Sequence, residues 1–169
     1  MKTVFVDGYN VINSWPNLKE IKEYSYESSR QQLIDTLQSY SEFKAYKLFV
    51  VFDAHMVKGS VEKKERLGNI VVVFTKESET ADSFIEKTVN NMGRKSEICV
   101  VTSDSLEQQV TFQRGATRMS SIEFYHEVMG VEKKIKIKTE KKYLENKNWL
   151  QDRLDEKTLE KLEKIRRGR

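Results

Sequence analysis

The sequence has little cysteine, histidine and proline, and it has no long apolar run. Cys99 is the single cysteine, which excludes an internal disulfide, and its place in the apolar run ICVV is typical of a small core residue. His55 and His126 share no metal-ligand spacing with each other or with Cys99, so we do not expect a zinc site. No run reaches the roughly 18 apolar residues of a membrane span, and the apolar run within the start MKTVFVDG is too short for a signal peptide. We therefore expect a cytoplasmic protein with no membrane partner.

The net charge of +4 is unevenly distributed along the chain. Residues 131–169 contain 14 Lys and Arg against 8 Asp and Glu, and the first 130 residues contain 16 basic and 18 acidic residues. A basic tail attracts a polyanion such as RNA, but excess lysine also serves solubility alone. Composition does not decide between these two interpretations.

Apolar strands alternate with helical patterns through the first 130 residues. The strands are predicted at residues 2–6, 47–52, 70–74, 97–102 and 116–119, and the helices at 26–44, 80–92, 105–114 and 120–129. This alternation predicts an α/β fold with a central, mostly parallel sheet and helices on both faces. The connection over 53–68 contains no clear amphipathic pattern and is expected to be irregular.

The character of the sequence changes after Gly130. The stretch IKIKTEKKY alternates apolar and basic residues, and a charged helix with a narrow stripe of leucines follows it. We therefore expect a folded domain over residues 1–130 and a basic linker with a helical tail over 131–169.

Acidic residues follow three of the predicted strands at the point where each strand ends. TVFVDGYNVI gives Asp7, LFVVFDAH gives Asp53, and EICVVTSDS gives Ser103 and Asp104. Each stretch alone is typical of an ordinary turn. Because the carboxyl ends of parallel strands share one edge of a sheet, the three aspartates together predict a ligand site there.

A further acidic pair lies at the start of the second helix. Glu79 and Asp82 are three residues apart in KESETADSF, so they share one helix face. For Glu79, a favourable charge at the helix N-terminus is an equally good explanation.

Carboxylates gathered at one edge repel one another and call for a countercharge. Asp and Glu without His or Cys favour a hard cation, Mg²⁺ or Mn²⁺, and the usual chemistry of such a site is phosphoryl transfer. A phosphate-accepting receiver would need a lysine after a late strand, and a nucleotide-binding fold would need a glycine-rich phosphate loop. Both are missing from the sequence, which leaves a metal-dependent nuclease as the favoured interpretation.

In that order and with those gaps, the blocks VDGYNVI, VVFDAH, ETADSFIE and VVTSD resemble the NYN branch of the PIN-like ribonucleases, most closely the bacterial YacP type. The resemblance implies a three-layer PIN-like α/β/α nuclease domain and cleavage of single-stranded RNA with Mg²⁺ or Mn²⁺. Asp7, Asp53, Asp82 and Asp104 would be its catalytic acids, and Asn10 would position the first loop or a phosphate. Asp7, Asp82 and Asp104 would hold the metal, while Asp53 would lie in or just behind the ligand set. The resemblance also implies mRNA as substrate, with the ribosome as a further partner and no role for DNA.

RNA contacts are expected from basic and aromatic side chains. The basic candidates lie on the 53–68 connection and at the start of the tail: Lys58, Lys63, Lys64, Arg66, Lys133, Lys134, Lys136 and Lys138. Tyr9, Trp15 and Tyr24 are candidates for base stacking, with ordinary packing as the alternative for each.

Two other functions remain open at this level. A non-catalytic RNA- or ribosome-binding module would have the same fold and the same basic tail. A phosphatase acting on small phosphorylated molecules would use the same carboxylates, but its activity would not depend on ionic strength.

Overall fold

A computed structural model describes residues 1–54, 61–103 and 115–168 of the chain. The strands are β1 Thr3–Asp7, β2 Lys47–Phe52, β3 Lys63–Leu67, β4 Ile70–Phe74, β5 Ile98–Val101 and β6 Thr117–Met119. The helices of the described part are α1 Gly8–Ser14, α2 Pro16–Lys22, α3 Tyr26–Lys44, α4 Ala81–Met92 and α5 Ser121–Arg167.

The six strands form one mixed sheet in the order β3-β4-β2-β1-β5-β6. Every neighbouring pair is parallel except β3 with β4, which is antiparallel. The chain passes from β1 to β2 on one side and later from β4 to β5 on the other, so strand order reverses beside β1. This is the position at which open parallel sheets bind ligands, and Asp7 is the last residue of β1.

Both faces of the sheet are buried, as expected for strands without apolar alternation. On one face, α4 packs Phe84, Ile85 and Val89 against the sheet residues Phe5 and Val51. The alternate sheet residues, among them Val4, Val6, Leu48 and Val50, are also buried, and α3 packs against β2 and β4. The fold is therefore a three-layer α/β/α sandwich, which confirms the predicted class.

Two parts of the predicted architecture were wrong. The 53–68 connection is not irregular throughout, because Lys63–Leu67 forms the edge strand β3. The stretch that begins with Gly8 is helical rather than a turn, because α1 follows β1 directly and α2 begins at Pro16. The helix predicted over 105–114 lies outside the described residues.

The helix predicted over 120–129 continues through Gly130 to Arg167, so residues 131–138 are helical rather than an extended linker. Contacts divide the chain into the units Met1–Val131 and Glu132–Arg169. Within the second unit the predicted apolar stripe is solvent-exposed: Leu150, Leu154, Leu159, Leu162 and Ile165. The functional division into a nuclease domain over 1–130 and a tail over 131–169 stays a prediction. Among the described residues, no helix has the length and apolar character to cross a membrane.

Candidate active site at the carboxyl edge of the sheet

Asp7 joins β1 to α1 as the N-cap of the helix. Its backbone is extended, and its Oδ1 accepts a hydrogen bond from the Asn10 N–H at 3.3 Å. The bond satisfies one of the N–H groups that a helix start leaves without an intrahelical partner, and the helix dipole favours a carboxylate there. Asp7 is half-buried at the edge of the sheet predicted for the site.

Gly8 lets the first helix approach the neighbouring strand closely. A Cβ atom at this position would lie 2.3 Å from Cε1 of Phe52, far inside van der Waals contact. Phe52 is fully buried and is the last residue of β2, directly before Asp53. The absence of a side chain at Gly8 therefore keeps the segments that carry Asp7 and Asp53 close together.

Asp53 joins the end of β2 to the start of α4. Its Oδ2 accepts a hydrogen bond from the Ala81 N–H at 3.3 Å, and Ala81 is the first residue of that helix. Asp82 follows in the first turn and is half-buried like Asp53. The N-cap of α4 is Thr80, whose hydroxyl accepts from the Ser83 N–H at 3.1 Å. Asp53 and Asp82 therefore both lie at the N-terminus of α4.

Thr75, which was not among the sequence candidates, connects the same two segments. Its Oγ1 accepts from the Ala54 N–H at 3.0 Å and donates to the Glu79 carbonyl oxygen at 2.7 Å. Thr75 is fully buried and directly follows β4. The rule that found the aspartates, a polar residue immediately after an apolar strand, would have found Thr75 too.

Asn10 links the first helix to the end of β5 and the start of α5. Its side-chain Oδ1 accepts from the Ser103 N–H at 3.2 Å and from the hydroxyl of Ser121. The Ser121 N–H donates to Ser103 Oγ at 3.4 Å, and the Ser121 carbonyl oxygen accepts from the Trp15 indole N–H at 2.9 Å. Asn10 therefore holds the backbone at Ser103, the residue before Asp104. Asp104 itself lies outside the described residues.

Tyr9 and Arg30 lie on the opposite side of Asp7 from this network. The Tyr9 hydroxyl accepts from an Arg30 guanidinium N–H at 3.2 Å, and the Tyr9 ring packs 5.2 Å from the ring of Phe52. Burial raises the pKa of Tyr9 while the Arg30 guanidinium lowers it, and the charge of Asp53 raises it slightly. Nothing in the local sequence indicates a role for Arg30, because tertiary packing brings the start of α3 to this edge.

The donor set has the chemistry of a site for a hard cation. Asp7 ends β1, Asp53 directly follows β2, and Asp82 lies in the first turn of α4, which Asp53 contacts; carboxylate oxygens of this kind suit Mg²⁺ or Mn²⁺. Over residues 1–54, 61–103 and 115–168, however, no three His, Cys, Asp or Glu side chains are grouped closely enough to hold a metal. The predicted ligand set, which includes Asp104, therefore stays a prediction.

The predicted RNA-binding cations fall into three positions. Lys63 and Lys64 pair with Phe74 and Val73 near the carboxyl edge, whereas Arg66 pairs with Val71 toward the opposite edge. Lys64 is engaged by Glu62 at 3.2 Å and by the ring of Phe84. The tail lysines are all exposed: Lys133, Lys134, Lys136 and Lys138. Lys58 lies outside the described residues.

The three aromatic candidates for base stacking differ in exposure. Trp15 is fully buried and packs on Phe124 and Tyr125, so its role is ordinary packing. Tyr9 is 8% exposed and Tyr24 is 88% exposed, which leaves Tyr24 as the accessible ring.

Three comparisons with known proteins agree on the family. The model of the YacP-like NYN domain matches residues 4–167. The protein YacP of Bacillus subtilis (strain 168), named as uncharacterized, is 42% identical over 99% of this chain and 98% of its own length. The crystal structure of Rae1 (YacP) from Bacillus subtilis is 41% identical over 99% of this chain and 96% of its own, with a TM-score of 0.75. A single-residue variant of that protein gives a TM-score of 0.72 at 38% identity, over 83% of each chain. The chain therefore belongs to the YacP-like NYN domain family.

Proposed function

We propose that this protein is a metal-dependent endoribonuclease that hydrolyses phosphodiester bonds in single-stranded RNA, with mRNA at the ribosome as its setting. The observation that carries the proposal is that Asp7 and Asp53 stand at strand ends on the edge of the sheet where strand order reverses, with Asp82 in the first turn of the helix that Asp53 contacts. Membership of an NYN family is compatible with nuclease activity.

Helix N-termini make it possible to gather these carboxylates. Asp7 accepts from an N–H group of α1, and Asp53 accepts from an N–H group of α4, so backbone dipoles offset part of the mutual repulsion. Asp7, Asp82 and Asp104 would hold Mg²⁺ or Mn²⁺, and Asp53 would orient that ligand set. When bound, the metal would activate water and stabilise negative charge on the phosphodiester. Asn10 would hold the end of β5 next to α1 by accepting a hydrogen bond from the Ser103 N–H.

The test is cleavage of a labelled unstructured RNA by wild type and by Asp7→Asn, with Mn²⁺ or with EDTA, and with or without translating ribosomes. Asn caps a helix about as well as Asp, so this variant should keep the fold and bind RNA while losing activity. Asp7→Ala removes the cap as well and should also lose about 1 kcal/mol of stability. Asp35→Asn, at an exposed position on α3, is the matched control and should cleave like wild type.

Three outcomes decide between the candidates. Metal-dependent cutting that disappears in Asp7→Asn supports the nuclease, and a requirement for ribosomes identifies its setting. Normal cutting by Asp7→Asn contradicts the site assignment. RNA or ribosome binding without cutting in any condition favours the non-catalytic module, whose binding would be lost on deletion of residues 131–169.

A further inference from the structure

Arg30 is a cation at the candidate site that forms no ion pair with a described carboxylate. Its guanidinium donates one hydrogen bond to the Tyr9 hydroxyl at 3.2 Å and lies 6.0 Å from the centre of the Phe74 ring. Neither salt bridge between described residues involves Arg30, because these join Lys2 to Glu97 and Lys64 to Glu62. A guanidinium carries five N–H donors, so most of its donor capacity is not used by these contacts.

The contacts of Arg30 and of its partner Tyr9 place Arg30 near the carboxyl ends of β1, β2 and β4. Phe74 is the last residue of β4, and Tyr9 lies one residue after the start of α1, which follows β1 directly. The Tyr9 ring also packs against Phe52, the last residue of β2. Arg30 is half-buried between these contacts, and its orientation is therefore fixed at the edge that carries Asp7 and Asp53.

A polyanion that approaches this edge meets several carboxylates and is repelled unless a cation receives it. Arginine is the side chain best suited to this, because its planar fork binds two phosphate oxygens at once and its orientation here costs little further entropy. The lysines of β3 and of the tail are exposed by comparison.

We propose that Arg30 is a substrate-binding residue that receives a backbone phosphate of single-stranded RNA beside the candidate site, held for this purpose by Tyr9 and Phe74. The proposal rests on the proposed function for its substrate, but it is tested by binding rather than by cleavage.

The experiment measures binding of a labelled unstructured oligoribonucleotide in EDTA, at several salt concentrations, to wild type, Arg30→Gln and Arg94→Gln. Arg94 is exposed, and its segment joins α4 to the amino end of β5, at the opposite edge of the sheet. We expect Arg30→Gln to weaken binding on the order of tenfold to a hundredfold, as for loss of a charged hydrogen bond. It should also reduce the slope of log K against log salt by about 0.7, the value for one phosphate contact on a single strand. Arg94→Gln should change neither quantity.

Equal behaviour of the two glutamine variants would overturn the proposal. If Arg30→Gln does not fold, judged by its thermal transition, Arg30→Lys replaces it. The ammonium keeps the charge without the fork, so we expect severalfold weaker binding with nearly the wild-type salt slope, and wild-type affinity would overturn the proposal.

The two proposals fail separately. Absence of cleavage by wild type, with RNA binding still weakened by Arg30→Gln, would remove the nuclease and leave the phosphate contact. Normal cleavage by wild type, with no effect of Arg30→Gln on RNA binding, would remove the phosphate contact and leave the nuclease.

Discussion

Replacement of Gly8 by alanine tests whether close packing of α1 on β2 holds the candidate site together. The added Cβ would lie 2.3 Å from Cε1 and 2.5 Å from Cδ1 of the Phe52 ring. Carbon atoms in contact are normally about 3.5–4.0 Å apart, so the ring or the helix must move by on the order of 1 Å. Phe52 has no solvent to move into, because it is fully buried between the rings of Tyr9 and Phe74.

The size of the effect follows from two opposing contributions. Overpacking of a buried site typically costs about 1–3 kcal/mol, and this overlap is severe enough for the upper part of that range. Alanine is favoured over glycine inside a helix by at most about 1 kcal/mol. We therefore expect Gly8→Ala to lower the free energy of unfolding by about 1–2 kcal/mol, and the melting temperature by roughly 2–8 °C. RNA cleavage should fall as well, because Gly8 adjoins Asp7 and Phe52 adjoins Asp53.

Urea unfolding measures the stability change, and Gly130→Ala is the control. Gly130 lies inside α5, and nothing lies within 4 Å of a Cβ built there, so this variant should gain about 0.5–1 kcal/mol. In a Phe52→Leu background, Gly8→Ala should cost less, with a coupling energy of about 0.5–3 kcal/mol. A stable and active Gly8→Ala protein, or additive effects of the two substitutions, would refute the packing argument.

Two further predictions concern the core. Burial raises the pKa of the Cys99 thiol above its ordinary value of 9.0, so it should react with a thiol reagent only after unfolding. Because the folded pKa is the higher one, the contribution of Cys99 to stability is complete below pH 9 and declines as pH rises through the folded value. Rapid labelling of the folded protein at neutral pH would contradict the expected protection of the thiol. Trp15→Phe removes the indole donor to the Ser121 carbonyl oxygen and should cost about 1–3 kcal/mol in urea unfolding. An unchanged unfolding midpoint would mean that this bond contributes nothing.

The parallel part of the sheet was predictable because its strands are buried on both faces and therefore read as continuous apolar runs. The five strands predicted from these runs are the five parallel strands of the observed sheet. The edge strand β3 was missed for the opposite reason. Four of its five residues, KKERL, are charged and exposed, which is a common way of protecting a sheet edge from pairing with other chains. Such a strand is identified only by its pairing with β4, and sequence periodicity does not show that pairing.

Within the site, residues that directly follow strands could be predicted, whereas residues brought there by packing could not. Asp7 and Asp53 were found because strand ends share an edge. Arg30 and Ser121 lie near the starts of helices far along the chain from Asp7, and nothing in their local sequence separates them from ordinary helix residues. Their place in the site follows from contacts with Tyr9 and Asn10, and it depends on how α3 and α5 pack.

The structural and catalytic interpretations of the stretch DGYN need not compete. Asp7 is a helix cap, so part of its role is structural, and the helix supplies the N–H group that favours a charged carboxylate at the edge of the sheet. Asp53 likewise accepts from an N–H group at the start of α4, although the N-cap of that helix is Thr80. A cap depends on a side-chain oxygen, which asparagine also has, whereas metal binding depends on negative charge. Stability and activity should therefore separate in Asp7→Asn and fall together in Asp7→Ala, and this difference measures how much of the role of Asp7 is chemical.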